Sequence, residues 1–280
     1  MKVLVTGATG FVGQYVIPQL LKGGHDVLGI GLDDGKITSA PWRSEIHFLR
    51  HDIRADATAL LLHCGSVDVV VHLAWSNMSN CTAREHLSET LPSHYAFLRA
   101  VVRAGVRHVL VAGTCLEYGM QCGLLDEDMT AMPTTPYGQA KNNLRQLLQA
   151  LQMDTPFTLQ WVRLFYLYGP GQRSGSLLAQ LDQAIDAQAT SFKMSPGDQL
   201  RDYLRVDEAA RRIAVLINRP DIHGIINCCD GKPTSVLQFV ERRIKERGAN
   251  IQLETGSFSY PEYEPFAFWG GSKLMEAFHE

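Results

Sequence analysis

The first thirteen residues, MKVLVTGATGFVG, constrain this chain more than any other stretch. Val3, Leu4 and Val5 predict a buried strand, and Gly7, Gly10 and Gly13 follow in a G-x-x-G-x-x-G spacing before a helical pattern over 11–22. Gly7 permits the tight turn, Gly10 lets the backbone approach a pyrophosphate, and Gly13 lets the helix pack closely on the strand. Free N–H groups at the helix start then hold the anion. The pattern predicts a dinucleotide ligand with Gly7, Thr9, Gly10, Phe11, Val12 and Gly13 around it.

A second strand is expected over 25–30, after the helix stop Gly23-Gly24. In dinucleotide folds an acidic residue at this strand's end binds the ribose 2′-OH, whereas a basic residue nearby accepts a 2′-phosphate. Here Gly31 and Leu32 are followed by Asp33, Asp34 and Lys36, so the choice between NAD and NADP stays open, with Asp33 leaning toward NAD.

Further strands are expected over 46–49 (running on to His51-Asp52-Ile53), 67–73 and 109–111, with helical segments over 56–64 and 82–103 between them. This alternation predicts an α/β fold, a doubly wound and mostly parallel sheet. Past about residue 170 a Gly169-Pro170-Gly171 turn leads to a helix over 175–187 and then to shorter elements and aromatic or Pro-rich loops. These predict a smaller C-terminal substrate-binding lobe. The expected division is a dinucleotide-binding domain over 1–165, rejoined by 203–228, and a lobe made of 166–202 and 229–280.

The composition narrows the partners. The 280 residues carry a formal net charge of −3 and are 45% hydrophobic, so a sizeable core is available and nothing suggests an electrostatic grip on nucleic acid or an anionic membrane. No apolar stretch approaches a membrane span, and a charged residue leading straight into a core strand predicts no signal peptide, hence a cytoplasmic protein. The six cysteines have no C-x-x-C pair or zinc spacing, which predicts reduced, mostly core thiols and no metal; Cys228 and Cys229 read as packing residues.

Two features carry chemistry. Thr114 falls just past the fifth strand, where ligands bind in open α/β sheets, and Tyr137 and Lys141 follow four apart on one helix face opened by Thr134, Thr135 and Pro136. A phenol is a poor acid–base catalyst at neutral pH, but a nearby ammonium stabilises its phenolate and is expected to bring its pKa toward the working range. Lys141 is also suited to hold the nicotinamide ribose, and Thr114 to donate a hydrogen bond to the reacting substrate oxygen.

With these pieces in place the chain resembles an extended short-chain dehydrogenase/reductase of the NAD-dependent epimerase/dehydratase family acting on nucleotide sugars. The matching pieces are TGATGFVG (6–13), VDVVVHLAW (67–75), GTCLEYG (113–119), PYGQAK (136–141), VRLFYLYGPGQ (162–172) and GDQLRDYLRVDEAA (197–210), which together cover essentially the whole chain. The resemblance implies a Rossmann fold. It also implies Thr114, Tyr137 and Lys141 as the catalytic triad, Asp52 and Ile53 flanking the adenine, and Leu73, Ala74 and Trp75 lining the cofactor. Arg201 would bind the substrate diphosphate, and His72 reads as structural.

Departures from the family pattern narrow the reaction. Sugar 4,6-dehydratases carry an Asp-Glu pair where Cys115 and Leu116 stand, and those two cannot supply the extra acid and base that loss of water needs. Epimerases acting at C3 and C5 carry a cysteine base at the position of Leu116, whereas Cys115 is one residue off and on an extended segment points the other way. Tyr166 replaces an asparagine near the diphosphate and is suited to stack on a base or sugar ring. With Thr114, Cys115, Leu116, Tyr166 and Arg201 around the sugar nucleotide, simple redox at one carbon remains.

The expected reaction is reduction of a nucleotide-linked 4-keto-6-deoxyhexose at C4, with Tyr137 as proton donor. A 4-epimerase with retained NAD is the alternative, and a non-catalytic dinucleotide-binding redox sensor a further one. Apolar residues beyond the needs of one helix face (Tyr95, Leu98, Val102, Leu144, Leu147, Leu148, Leu151) suggest a homodimer through a four-helix bundle.

Overall fold

The computed structural model describes residues 1–32 and 40–272. In chain order its elements begin with β1 (Lys2–Thr6), α1 (Gly13–Lys22), β2 (Asp26–Gly31), β3 (His47–Arg50), α2 (Ala57–Cys64) and β4 (Val69–His72). They continue with α3 (Leu91–Arg103), β5 (His108–Thr114), β6 (Gly123–Leu125), α4 (Pro136–Asp154), β7 (Thr158–Leu164) and β8 (Tyr166–Tyr168). The last third holds α5 (Leu177–Asp186), β9 (Ser191–Lys193), β10 (Leu200–Arg205), α6 (Val206–Leu216), β11 (Gly224–Cys228), β12 (Pro233–Ser235), α7 (Val236–Glu246), β13 (Gln252–Glu254) and β14 (Phe268–Gly270).

Seven strands form one parallel sheet in the order β11-β7-β5-β4-β1-β2-β3. Strand side chains alternate between faces, and both faces are covered, so the strands read as continuous apolar runs. Val3 and Val5 join one core with Val16, Ile17 and Leu20 of α1 and Ile213 and Leu216 of α6. Leu4 joins the opposite core with Phe97 and Val101 of α3 and Leu144 and Leu148 of α4. The strand order reverses between β1 and β4, which opens a crevice at the carboxyl ends of those strands.

Of the seven apolar residues expected to be surplus, Leu98, Val102, Leu144, Leu148 and Leu151 all pack in that second core. The sheet absorbs them, leaving Tyr95 and Leu147 partly exposed. Five of the seven residues on which the dimer expectation rested are therefore core residues, and a homodimer is not shown. The long helix expected over 82–103 is also divided: His86–Thr90 winds as a π-type turn before α3 begins at Leu91.

The smaller part of the molecule has its own core of Leu178, Leu181, Phe192, Met194, Phe239, Val240 and Ile251, built on α5 and α7. Strand β10 pairs in parallel with β8 and antiparallel with β12, outside the main sheet, while α6 and β11 return to it. Strand β14 pairs with β6, which brings the segment before it back over the crevice. Among the described residues no helix is long and apolar enough to cross a membrane.

Candidate active site

A cleft of about 580 Å3 lies at the carboxyl ends of the strands, with the glycine turn on one side and the smaller lobe on the other. Gly7 has φ +71, a conformation that glycine adopts without steric cost, and a Cβ there would meet the Ala74 backbone N at 2.8 Å. A Cβ on Gly13 would collide with the Gly7 carbonyl oxygen and meet that of Ala8 at 2.8 Å. The start of α1 is thereby pressed onto the turn. The amides of Phe11, Val12 and Gly13 take no backbone acceptor among the described residues, and all three residues line the cleft. Uncommitted N–H groups at a helix start are the donor set a pyrophosphate needs, so the turn fits a dinucleotide.

The rest of the expected cofactor wall is mixed. Leu73 and Trp75 line the cleft, and Ala74 donates its N–H to the Thr6 hydroxyl at 3.2 Å. Thr9 sits beside Gly31 at the end of β2, within 3.0 Å of where a Cβ would stand. Asp52 and Ile53 do not line the cleft. Asp52 is engaged by the Arg54 side chain at 2.6 Å, which holds its carboxyl below the usual carboxylate range, and Ile53 packs against the sheet core. Asp33 lies outside the described residues.

Thr114, Tyr137 and Lys141 meet in the cleft. Thr114 ends β5 and caps the short 3-10 turn Cys115–Tyr118, its hydroxyl accepting the Leu116 N–H at 3.3 Å. Thr135 caps α4 by accepting the Gly138 N–H at 3.1 Å, with Pro136 at the first helical position, so Tyr137 and Lys141 fall on the first two turns. The Thr114 hydroxyl faces the Tyr137 phenol and opposes part of the rise in its pKa. Lys141 donates to the Ala112 carbonyl at 2.8 Å, and its Nζ lies 3.8 Å from the Trp75 ring centroid and 5.9 Å from that of Tyr137.

The electrostatics correct one expectation. Lys141 was expected to bring the Tyr137 pKa down, but burial pushes the phenol up, and the Glu117 carboxylate pushes it further the same way. Lys141 is the group that burial shifts toward neutrality, down to about 7, with Glu117 opposing. The site is desolvated on the acid and on its partner alike.

A buried histidine chain underlies Lys141: Thr6 Oγ1 to His72 Nδ1 at 2.9 Å, then His72 Nε2 to His94 Nδ1 at 2.7 Å. Burial holds His72 near 3 and His94 well below its ordinary value, so both are neutral in the fold. On the next layer Trp75 Nε1 donates to His86 Nδ1 at 3.2 Å.

On the substrate side Cys115, Leu116 and Tyr166 line the cleft, and burial pushes the Cys115 thiol far up, away from use as a base. Arg201 does not reach the cleft. Its guanidinium donates to the carbonyls of Leu200 and Phe266 and to Glu264 Oε2 at 2.9 Å, and its side chain is 2% exposed against 17% for Glu264. Glu264 stands between Arg201 and the cavity.

Residues that sequence reasoning passed over also line it: Cys81, Arg173, Tyr263 and Glu264. Arg173 directly follows the matched YGPGQ piece and donates to the Met78 carbonyl at 2.7 Å across the cleft mouth, a position that spacing alone does not reveal. Glu264 falls in one of the aromatic and Pro-rich loops of the last third, where no spacing marks it.

Comparison with known proteins follows the same outline. The family model described as NAD dependent epimerase/dehydratase family matches residues 3–229. A dTDP-6-deoxy-L-talose 4-dehydrogenase (NAD(+)) from Aggregatibacter actinomycetemcomitans is 30% identical over 276 residues, covering 96% of this chain and 99% of that protein. A UDP-glucose 4-epimerase from Neisseria meningitidis serogroup C is 25% identical, covering 90% of this chain and 84% of that protein. Among solved structures, the UDP-glucuronic acid 4-epimerase of Bacillus cereus, in complex with UDP-glucuronic acid and NAD, superposes with a TM-score of 0.84 at 25% identity, covering 99% of this chain and 92% of that one.

Proposed function

Because this chain belongs to the NAD-dependent epimerase/dehydratase family, we propose that it is an NAD-dependent nucleotide-sugar 4-ketoreductase, acting at C4 of a nucleotide-linked 4-keto-6-deoxyhexose. The observation that carries the proposal is the convergence of Thr114, Tyr137 and Lys141 in the cleft that the uncommitted amides of α1 also line. The end-to-end likeness to a 4-dehydrogenase of a dTDP-6-deoxy sugar supports the same carbon, since oxidation of an alcohol and reduction of its ketone are one reaction run in two directions.

In this reading the amides of Phe11, Val12 and Gly13 hold the dinucleotide's pyrophosphate, Leu73 and Trp75 wall it, and Lys141 holds the nicotinamide ribose. Bound NAD supplies hydride exchange with C4. Thr114 donates a hydrogen bond to O4, where charge develops, and Tyr137 delivers the proton. A phenol held high by burial remains protonated at neutral pH, which suits a donor in the reducing direction. Cys115 and Leu116 contact the sugar, and the lobe formed by 166–202 and 229–280 covers the nucleotide. Arg201 reaches the diphosphate only if Glu264 yields, so Arg173 is the cation already at the mouth.

The test is a coupled assay: dTDP-, GDP- and CDP-linked 4-keto-6-deoxyhexoses are each offered with NADH, and absorbance is followed at the nicotinamide band. Consumption with one of them supports the ketoreductase. The second reading, a 4-epimerase using the same three residues, is favoured by the likeness to 4-epimerases. Purified protein retaining NAD, with no net NADH consumption, would move the assignment to it.

A further inference from the structure

Glu117 is fully buried, within the short turn that follows Thr114, and no step described above employs it. Its Oε1 accepts the Thr114 N–H at 2.9 Å and Trp161 Nε1 at 2.9 Å, while Oε2 accepts Arg163 Nε at 2.9 Å. Arg163 is itself fully buried, and its guanidinium carbon lies 4.3 Å from the Tyr118 ring centroid. Room for this arrangement is made by Gly113, where a Cβ would meet Glu117 Oε1 at 2.7 Å and collide with the Trp161 indole. Two strands, β5 and β7, therefore converge to hold one carboxylate against the end of β5.

We propose that Glu117 is a positioning residue of the active site: it fixes Thr114 through the backbone and supplies the buried negative charge that keeps Lys141 an ammonium. The proposal rests on the roles given above to Thr114, Tyr137 and Lys141. The titratable and charged groups that face Lys141 are Glu117, Tyr137, His72 and His94, with the Trp75 ring over its Nζ. Both histidines are held neutral by burial and offer no counter-charge. Tyr137 is faced by Thr114, Cys115, Cys81, Glu117 and Lys141, and by the rings of Trp75 and His86. Around Glu117 stand Arg163 from β7, Arg145 from α4, and Tyr118.

The carboxylate acts in one direction on both partners. It favours the charged lysine and disfavours the phenolate, so it holds the pair as ammonium and phenol, the state a proton donor needs at the start of a reduction.

The test reads Lys141 through its ring neighbour and needs no turnover. Tryptophan emission is titrated in the native protein, in Trp75→Phe and in Lys141→Met. A transition centred near pH 7 that both substitutions abolish belongs to Lys141. In Glu117→Gln, which keeps the shape but not the charge, that midpoint should move acidward by on the order of one pH unit, the effect of one charge a few ångströms away in a protein interior. In Glu117→Asp it should stay within a few tenths of the native value, again on the order of a charge that is kept.

An unmoved midpoint in Glu117→Gln, or no Lys141-dependent transition in the native protein, overturns the proposal. A residue that only held the fold would lower stability without moving the midpoint. If Glu117→Gln fails to fold because Arg163 is left unpaired, Glu117→Gln/Arg163→Gln is read the same way. The result stands even if no keto-sugar is turned over, so a failed ketoreductase assignment does not obscure it.

Discussion

Lys141 places its Nζ 3.8 Å from the Trp75 ring centroid while donating to the Ala112 carbonyl at 2.8 Å, so the ammonium is buried and already engaged on two sides. Burial nevertheless wins, bringing its pKa down to about 7. In the unfolded chain a lysine titrates near 10. Between those values the unfolded state binds more protons, so stability rises with pH across that window, and the burial cost is fully present below about pH 7. Lys141→Met should therefore be more stable than the native protein at neutral pH, by up to about 4 kcal/mol, with the gap closing toward pH 10. It should also lose nearly all activity. Denaturant unfolding at pH 6.5 and 9.5 checks both signs; a variant less stable than the native protein at pH 6.5 contradicts the account.

Tyr137→Phe removes the proton donor and leaves the glycine-turn amides and Lys141 to hold the dinucleotide. Turnover should fall by roughly 10²–10⁴, the usual worth of a positioned acid, while NAD affinity measured by calorimetry stays within about threefold. A comparable loss of NAD binding would mean that the phenol is a binding group rather than the acid.

Gly13→Ala puts a Cβ into the Gly7 carbonyl and against the Ala8 carbonyl, both of them backbone atoms that cannot swing aside. NAD affinity should drop at least about tenfold as the turn opens. Gly175→Ala is the control, because nothing lies within 4 Å of a Cβ there. Equal NAD binding by both variants would remove the glycine turn from the proposed cofactor site.

Glu264→Ala leaves Arg201 a buried cation without its carboxylate, held by the carbonyls of Leu200 and Phe266 beside the Tyr166 and Phe268 rings. Unpairing a mostly buried ion pair should cost about 2–3 kcal/mol. Asp52→Ala, which unpairs the exposed Arg54, should shift the unfolding midpoint far less. Urea midpoints of the two variants give the comparison directly.

What the sequence revealed and what it hid divide along the range of the interactions. The β1 core run, the glycine turn and the Tyr137–Lys141 pair are all written in spacings of a few residues, and those local periods largely decide the local backbone. The partners that set the chemistry lie far apart: Glu117 with Arg163 and Trp161, and Arg201 with Glu264, are joined only once the sheet and lobe assemble. So Arg201 was expected at the diphosphate and lies behind a carboxylate instead. The Tyr137 shift went the same way, because a neighbour four residues off is legible whereas desolvation is not. Leu144, Leu148 and Leu151 illustrate the opposite error, apolar residues counted as surplus although a seven-stranded sheet has room for them all.

The most direct measurement is the fate of a labelled hydride. A dTDP-4-keto-6-deoxyhexose is incubated with the protein and NADH in which both hydrogens at C4 of the nicotinamide are deuterium, and the sugar product is examined by proton NMR. Deuterium at C4 of the hexose, lost when Tyr137→Phe replaces the native protein, is the expected result. Unlabelled sugar, or deuterium at any other carbon, would contradict reduction at C4.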